Sequence, residues 1–381
     1  MPSSRDATAI QTLRWQIAND QPIVPNASHR APVLASADVQ RIGAGLDIWD
    51  AWPLADATGQ PVLWRGGELW FALAAPVSQD PEQRHFAARI HHFHRRTDGF
   101  HHLGPTLPAA LSPGSREWSG AARLEGDTVK VCFTAAGVKN EGEASYRQRL
   151  FYTQTRLSSD PTTVFEKWSK PKELLAPGGL YLDADEAEGR IGEIKAFRDP
   201  FLWRGTGGRD FLLFTGSSAI NRGAFNGVIG LAEAGADGQL RALPPLIDAS
   251  GVNNELERPH IVTHEGRLYL FWSTQAKVFA PGIAAPTGLY GASALDIGGP
   301  WELLNGHGLV FANPEREPFQ CYSWWVLPDL SVASFVDYWG IDHPNAAAKP
   351  TGRTHFGGTF APFLQIALDR CQATLISAAR S

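Results

Sequence analysis

The sequence predicts an all-β chain, a five-bladed β-propeller with a funnel-shaped central site. Convincing helical periodicity is scarce, and short apolar runs are instead separated by Gly, Pro, Asp and Asn. Five hairpin-like modules recur about every 60 to 80 residues, the signature of a radially repeated fold. At 381 residues with 43% hydrophobic content, the chain is long enough to bury a large core.

The elements run in order. Residues 1–40 read as an N-terminal extension packing on a single catalytic domain spanning 1–381. Within the extension, Ala7–Ala18 is a helix candidate through Ile10, Leu13, Trp15 and Ile17, and Val164–Trp168 is a second, shorter one. The first hairpin joins Leu63–Trp64 to Leu69–Leu73 through Gly66-Gly67, and the second joins Ala121–Leu124 to Val129–Phe133 through Gly126-Asp127. The third runs from Phe201–Trp203 through Gly205–Gly208 to Phe211–Phe214, and the fourth from Ile261–Thr263 through Glu265-Gly266 to Leu268–Trp272. The fifth runs from Tyr322–Leu327 through Pro328-Asp329 to Val332–Val336. Gly and Asp at the turns supply the backbone freedom that tight hairpins need. The Ala-rich stretch Ala346–Thr351 reads as a surface loop.

Each hairpin follows a charged or aromatic motif: Trp49-Asp50, Glu117-Trp118-Ser119-Gly120, Arg198-Asp199-Pro200, Glu257-Arg258-Pro259 and Gln320-Cys321-Tyr322. In a propeller the innermost strands all start at one end, so these motifs are expected to converge around the axis.

Composition excludes several functions. Charged residues are 19%, the net charge is −5, and there is no basic cluster, so no nucleic-acid partner is expected. Cys132, Cys321 and Cys371 are odd in number and widely spaced, which argues against a disulfide framework or zinc site. Cys132, inside an apolar run, reads as a buried thiol. No apolar stretch approaches the roughly 18 residues of a membrane span. The polar first 20 residues lack the apolar region of a secretory signal, so the expected location is the cytoplasm, or outside without a cleaved signal. The thirteen Trp suit either a β-core or stacking faces for sugar rings.

Asp50, Asp199 and Glu257 are the candidate catalytic residues. Glycoside cleavage passes through an oxocarbenium-like state and needs one acid for the leaving oxygen plus a carboxylate to trap the cationic carbon. Glu255 and Glu257, two apart in an extended segment, face the same way and can raise one another's pKa, with Arg258 offsetting part of that effect. Singly, each acid reads as a turn, a local ion pair or a solvated edge. Their joint placement at matching hairpin positions points to a common site. The run His91, His92, His94, His101 and His102 offers His92 and His94 on one face but no third metal ligand. Gly205–Gly208 is not a phosphate loop, since no helix follows. No His stands at a telling spacing from Ser119, which argues against a serine nucleophile.

Several segments carry a family resemblance: Asp47–Leu54, Arg116–Gly120, Phe197–Pro200, Glu255–His260, Gly288–Gly291, Pro300–Gly306, Tyr322-Ser323 and Gly357–Pro362. Across nearly the whole chain they resemble glycoside hydrolase family 68, the levansucrase, inulosucrase and bacterial β-fructofuranosidase group. The resemblance implies a five-bladed propeller that cleaves sucrose with retention and needs no cofactor. It implies Asp50 as nucleophile, Glu257 as general acid and then base, and Asp199 as a transition-state stabiliser gripping fructosyl hydroxyls. It implies Trp49, Trp118, Ser119, Arg198, Glu255, Arg258 and Tyr322 as sugar contacts. Fructose would pass to water, sucrose or fructan, as levan- or inulin-type oligosaccharides.

Three positions depart from the pattern. Gln275 stands where many members have Arg or His toward the glucosyl unit or acceptor, which favours short products with much hydrolysis over long polymers. Asn254 and Thr215 stand where calcium-binding members carry acidic residues, so no metal is expected. Two other readings stay open: a related five-bladed hydrolase acting on arabinan or xylan, and a non-catalytic sugar-binding propeller.

Overall fold

A computed structural model describes residues 9–18, 21–43, 45–184, 194–341 and 349–376. The chain is all-β, and its strands form five successive antiparallel meanders. Before them comes β1 (Leu13–Arg14). The first meander holds β2 (Leu46–Ala55), β3 (Leu63–Trp64), β4 (Gly67–Pro76), β5 (Arg89–Arg96) and β6 (Gly99–Pro105). The second holds β7 (Arg116–Glu125), β8 (Thr128–Ala136), β9 (Gln148–Arg156) and β10 (Lys172–Leu175). The third holds β11 (Phe197–Arg204), β12 (Asp210–Ser217), β13 (Gly227–Ala234) and β14 (Leu240–Asp248). The fourth holds β15 (Glu257–His264), β16 (Arg267–Thr274), β17 (Gly288–Ala294), β18 (Glu302–Leu303) and β19 (Leu309–Ala312). The fifth holds β20 (Cys321–Val326), β21 (Ser331–Tyr338), β22 (Phe356–Phe360), β23 (Leu364–Asp369) and β24 (Gln372–Ile376).

These strands form four hydrogen-bonded sheets, because a short parallel pair, Leu54 with Ala122 and Ala55 with Arg123, fuses the first two meanders. No sheet among them closes on itself. The first strands of the meanders nevertheless touch in cyclic order: β2 against β7, β7 against β11, β11 against β15, β15 against β20, and β20 against β2.

The tryptophans are mainly core. Trp49, Trp52, Trp70, Trp272 and Trp324 are each at most 2% exposed, packed between the meanders with rings of Phe and Tyr. No helix among the described residues is long and apolar enough to cross a membrane.

The two helix candidates are not helices. Residues 7 and 8 lie outside the described segments. Leu13–Arg14 is a strand paired in parallel with Ile247-Asp248, and Trp15 is buried against Trp272, Phe279 and Tyr290. Leu13, Trp15 and Ile17 follow a period of two, which belongs to an extended chain. Val164–Trp168 is also extended. Phe165 bridges Leu157, and its ring stacks on Phe71 and meets Trp168, so packing overrides any weak helical tendency. Residues 346–348 of the expected loop lie outside the described residues, and 349–351 have no regular structure.

His260 on β15 illustrates the cost of a polar group in this core. Its ring stacks on Trp325 at 4.4 Å and 7°. The Val326 N–H donates to Nε2 at 2.9 Å, so Nδ1 carries the proton and donates to the Arg258 carbonyl at 2.9 Å. Burial pushes its pKa down to about 3. Since this lies below the unfolded value of roughly 6.5, the neutral ring stabilises the fold above that pH, and the contribution is lost as pH falls toward the folded pKa. Burial acts the same way on His91, pushed to about 4, and His92, pushed to about 3. Unfolding free energy is therefore expected to drop between pH 6.5 and 4. In His260→Gln the drop should be shallower by up to about 1.4 kcal/mol per pH unit, the slope of one proton. Urea titrations at three pH values check this, and parallel pH profiles for the two proteins would rule it out.

Candidate active site

One local device places nine of the eleven residues singled out in the sequence. Each first strand carries one extra residue against its neighbour at the same point: Trp49–Trp52, Trp118–Gly120, Arg198–Phe201, Glu257–His260 and Tyr322–Trp325. Such β-bulges bend a strand and re-aim a side chain. At four of the five the bulged residue is non-glycine with a left-handed φ: Asp50 at 51°, Asp199 at 56°, Arg258 at 55° and Ser323 at 62°. Each such conformation costs on the order of 1 kcal/mol or more and persists only where the surroundings enforce it. In β7 the crossing is so close that a Cβ on Gly120 would meet the Cys132 carbonyl oxygen at 1.9 Å.

Two rings of side chains result. Trp49, Trp118, Arg198, Glu257 and Tyr322 hold the position just before the bulge, and Asp50, Ser119, Asp199, Arg258 and Ser323 hold the next. This corrects two expectations. The acids lie inside the first strands rather than ahead of the hairpins, and in the first meander that strand is β2, with Leu63–Trp64 only a short outlying strand. Moreover, Glu257 is not the counterpart of Asp50 and Asp199. It sits one residue earlier, and Arg258 occupies the matching position.

All eleven residues singled out in the sequence line one cavity of about 100 Å³: Trp49, Asp50, Trp118, Ser119, Arg198, Asp199, Glu255, Glu257, Arg258, Gln275 and Tyr322. A roomier cavity of about 360 Å³ lies at the opposite ends of the same strands. Among the described residues its sole carboxylate, Asp56, is committed to its own turn, accepting from the Thr58 and Gln60 amides, so they supply no acid pair there.

The three acids are supported differently. Asp50 is half-buried, and its Oδ2 accepts from the Ser119 hydroxyl at 2.6 Å. Glu257 lies between the Arg198 guanidinium, which donates to Oε1 at 2.9 Å, and the Tyr322 hydroxyl, which donates to Oε2. Asp199 is buried, with the Thr215 hydroxyl 3.0 Å and the Arg258 amide 3.2 Å from Oδ2. Burial pushes its pKa up to about 6, Arg198 pulls the other way, and Glu257 and Asp50 add to the rise. Glu255, 3.4 Å from Arg198, is pushed to about 7 chiefly by burial, and its Oε1 has no hydrogen-bond partner among the described residues. The pairing of Glu255 with Glu257 adds to that rise, though burial outweighs it. Arg198 thus touches Asp199, Glu255 and Glu257 at once.

Sequence reasoning missed part of the wall. Glu82, Arg84 and His85 come from the short 3₁₀ turn Pro81–Phe86 between β4 and β5, and Asp337 and Lys349 come from the fifth meander. Buried polar side chains behind the site escaped notice as well. Gln148 Oε1 accepts from the Phe197 amide at 3.1 Å, and the Asp199 amide donates to Thr134 at 2.9 Å. The Glu82-x-Arg84-His85 charge cluster was the one legible signal.

No group of three or more His, Cys, Asp or Glu among the described residues is arranged to hold a metal ion. Around Asn254 the cation is an ammonium. Lys195 Nζ donates to Asn226 at 2.6 Å, Asn254 at 2.8 Å and the Ala224 carbonyl at 2.7 Å, tying the strand entry to a neighbouring loop. His92 and His94 turn to separate partners, Thr106 and the Trp64 carbonyl.

A hydroxyl-supported carboxylate, a second carboxylate between a guanidinium and a phenol, and tryptophan walls are the equipment of a glycoside-processing enzyme. The family model described as Levansucrase/Invertase matches residues 5–237 and 224–379, and the chain belongs to that family. A levansucrase of Zymomonas mobilis is 33% identical over 84% of this chain and 80% of its own length. Levansucrase LscC of Pseudomonas savastanoi is 28% identical over 93% and 88%. Among solved structures, an inulosucrase from Halalkalicoccus jeotgali bound to kestose superposes with a TM-score of 0.85 at 31% identity, covering 96% of this chain and 95% of that one. Bacillus subtilis levansucrase has the same fold at 20% identity, with a TM-score of 0.75.

Proposed function

We propose that this protein is a retaining, sucrose-cleaving fructosyltransferase and β-fructofuranosidase. The observation that carries the reading is the pairing of Asp50 and Glu257 in one cavity with unlike support. Asp50 attacks the anomeric carbon of the fructosyl unit while Glu257 protonates the glycosidic oxygen, so glucose leaves and a fructosyl-enzyme forms. Glu257 then takes a proton from the acceptor hydroxyl as it attacks the same carbon, and Asp50 is released. Asp199, held by Thr215 and the Arg258 amide, accepts from fructosyl hydroxyls. Arg198 keeps the three neighbouring carboxylates compatible, and Trp49 and Trp118 wall the ring.

The five meanders act as blades of a five-bladed propeller. Supporting this are the equivalent bulge in every first strand and the cyclic order in which those strands touch. Propeller geometry explains why residues about 200 positions apart meet. Gln275, a neutral amide at the rim beside Tyr322, holds acceptors loosely, which favours water and short acceptors over a growing polymer.

Incubation with sucrose, followed by separation of the products, is the test. Glucose should exceed free fructose, the difference appearing as short fructo-oligosaccharides. Cleavage of aryl arabinosides without glucose release from sucrose would instead favour an arabinan-type hydrolase. Sucrose binding without any glucose release would favour a sugar-binding module.

A further inference from the structure

Thr215, on β12, is wholly buried and does not line the cavity, yet it touches two of the segments that build it. Its hydroxyl oxygen lies 3.0 Å from Asp199 Oδ2 and 3.0 Å from the Leu256 carbonyl oxygen. The Arg258 amide sits 3.2 Å from that hydroxyl oxygen and 3.2 Å from Asp199 Oδ2. Thr215 thus stands between the bulge of β11 and the entry to β15, where Leu256 separates Glu255 from Glu257.

A threonine hydroxyl has one hydrogen and two lone pairs. The Leu256 carbonyl can only accept, and so can Asp199 while it is ionised. One hydrogen cannot serve both, and the equal distances favour neither. Charge decides instead, because a carboxylate draws the hydrogen more strongly than a neutral carbonyl does. Once Asp199 takes up a proton, its own O–H can donate to a lone pair of Thr215, and the threonine hydrogen is freed for Leu256. Neither arrangement requires a heavy atom to move.

Asp199 is placed to use both states. Burial raises its pKa to about 6, opposed by Arg198 and Arg258 and assisted by Glu257 and Asp50. Glu255, beside Leu256, is raised to about 7, again chiefly by burial.

We infer that the Thr215 hydroxyl is an acceptor switch, turned to Asp199 when that carboxyl is ionised and to the Leu256 carbonyl when it is protonated. Thr215 is therefore a positioning residue. It favours the ionised Asp199 that receives fructosyl hydroxyls, and it passes that charge state on to the segment carrying Glu257. The catalytic half of the inference rests on the fructosyl-transfer reading above, whereas the switch does not.

The switch is read at Leu256 itself. Leucine labelled with ¹³C at the carbonyl, combined with ¹⁵N-glutamate, marks two peptide bonds in this chain, Leu124-Glu125 and Leu256-Glu257. Leu124→Val removes one signal and so assigns the other. Across the Asp199 titration, the wild-type Leu256 carbonyl shift should show a step that is missing from Asp199→Asn and from Thr215→Val. A step caused by Glu255 survives both changes. The inference is overturned if Asp199→Asn removes no step, or if Thr215→Val retains the step that Asp199→Asn removes. The comparison of wild type with Asp199→Asn leaves Thr215 in place, so it decides the matter even where Thr215→Val folds poorly.

Activity on sucrose tests the positioning role. Thr215→Val keeps the side-chain shape but loses the donor to the ionised form, which favours the neutral carboxyl. The acid limb of kcat/KM should then move up by about one pH unit, while Thr215→Ser, which keeps the hydroxyl, stays close to wild type. An unmoved acid limb in Thr215→Val would remove the positioning role. Absence of sucrose cleavage by wild type would instead remove the fructosyl-transfer reading and leave the carbonyl titration standing.

Discussion

Asp50→Ala is expected to lower kcat on sucrose by about 10⁴-fold or more, because in the proposed mechanism Asp50 forms the covalent intermediate. Among the described residues, Asp50 has a single side-chain donor, Ser119 at 2.6 Å, and its own φ is left-handed. That arrangement leaves its other oxygen available to the cavity. Glu257→Ala should be of similar severity on sucrose, since glucose is a poor leaving group without a proton. The two variants separate on fructosyl fluoride, whose leaving group needs no protonation. Glu257→Ala should recover the first step, seen as a burst of fluoride, and azide should then capture the fructosyl group without a general base. Asp50→Ala should recover nothing. Equal rescue of both would remove Asp50 from the nucleophile's role.

Arg258→Met should be the most destabilising single change in the site, by about 3 to 5 kcal/mol. The Arg258 guanidinium is buried at the centre of the molecule and holds two other meanders to its own. Nη2 donates to the Ala51 carbonyl at 2.7 Å, and Nη1 to the Ser323 carbonyl at 3.0 Å and hydroxyl at 2.7 Å. Methionine of similar length leaves those acceptors unsatisfied in the interior. It also removes a cation facing Asp50, Asp199 and Glu257. Losing a positive charge favours the neutral carboxyl form, so the acid limb of activity should move to higher pH. Denaturant unfolding gives the first quantity and pH–rate profiles the second. A loss under 1 kcal/mol would mean that the axial contacts are dispensable.

The contrast between these residues and their neighbours shows how chemistry is divided among like-looking acids. Asp47 and Glu117 sit in the same conspicuous motifs as Asp50 and Trp118, yet both are structural. Asp47 is clamped by Arg353 at 2.6 Å and Arg41 at 2.8 Å, and Glu117 by Arg89 at 2.9 Å and the Ile90 amide. Alternation turns Glu117 away from the face of Trp118, whereas Asp47 shares the face of Trp49 but lies two residues farther along β2, outside the cavity, and the bulge turns Asp50 toward it.

By itself the sequence determined the all-β class, since Gly- and Asp-rich turns and short apolar runs act locally. Together with the family resemblance it also pointed to eleven residues that the structure brings to one cavity, through the joint placement of Trp49-Asp50, Arg198-Asp199 and Glu257-Arg258 rather than through any one of them. Only the tertiary structure decided which residues are equivalent. A one-residue bulge changes backbone registration without leaving a mark in composition, so the offset of Glu257 from Asp50 and Asp199 could not be read in advance. The same holds for Arg84, Asp337, Gln148 and Thr134, whose roles arise from where separate meanders meet. Leu13, Trp15 and Ile17 make the point from the other side: their extended state depends on a strand more than 230 residues away, and no local propensity encodes a partner at that distance.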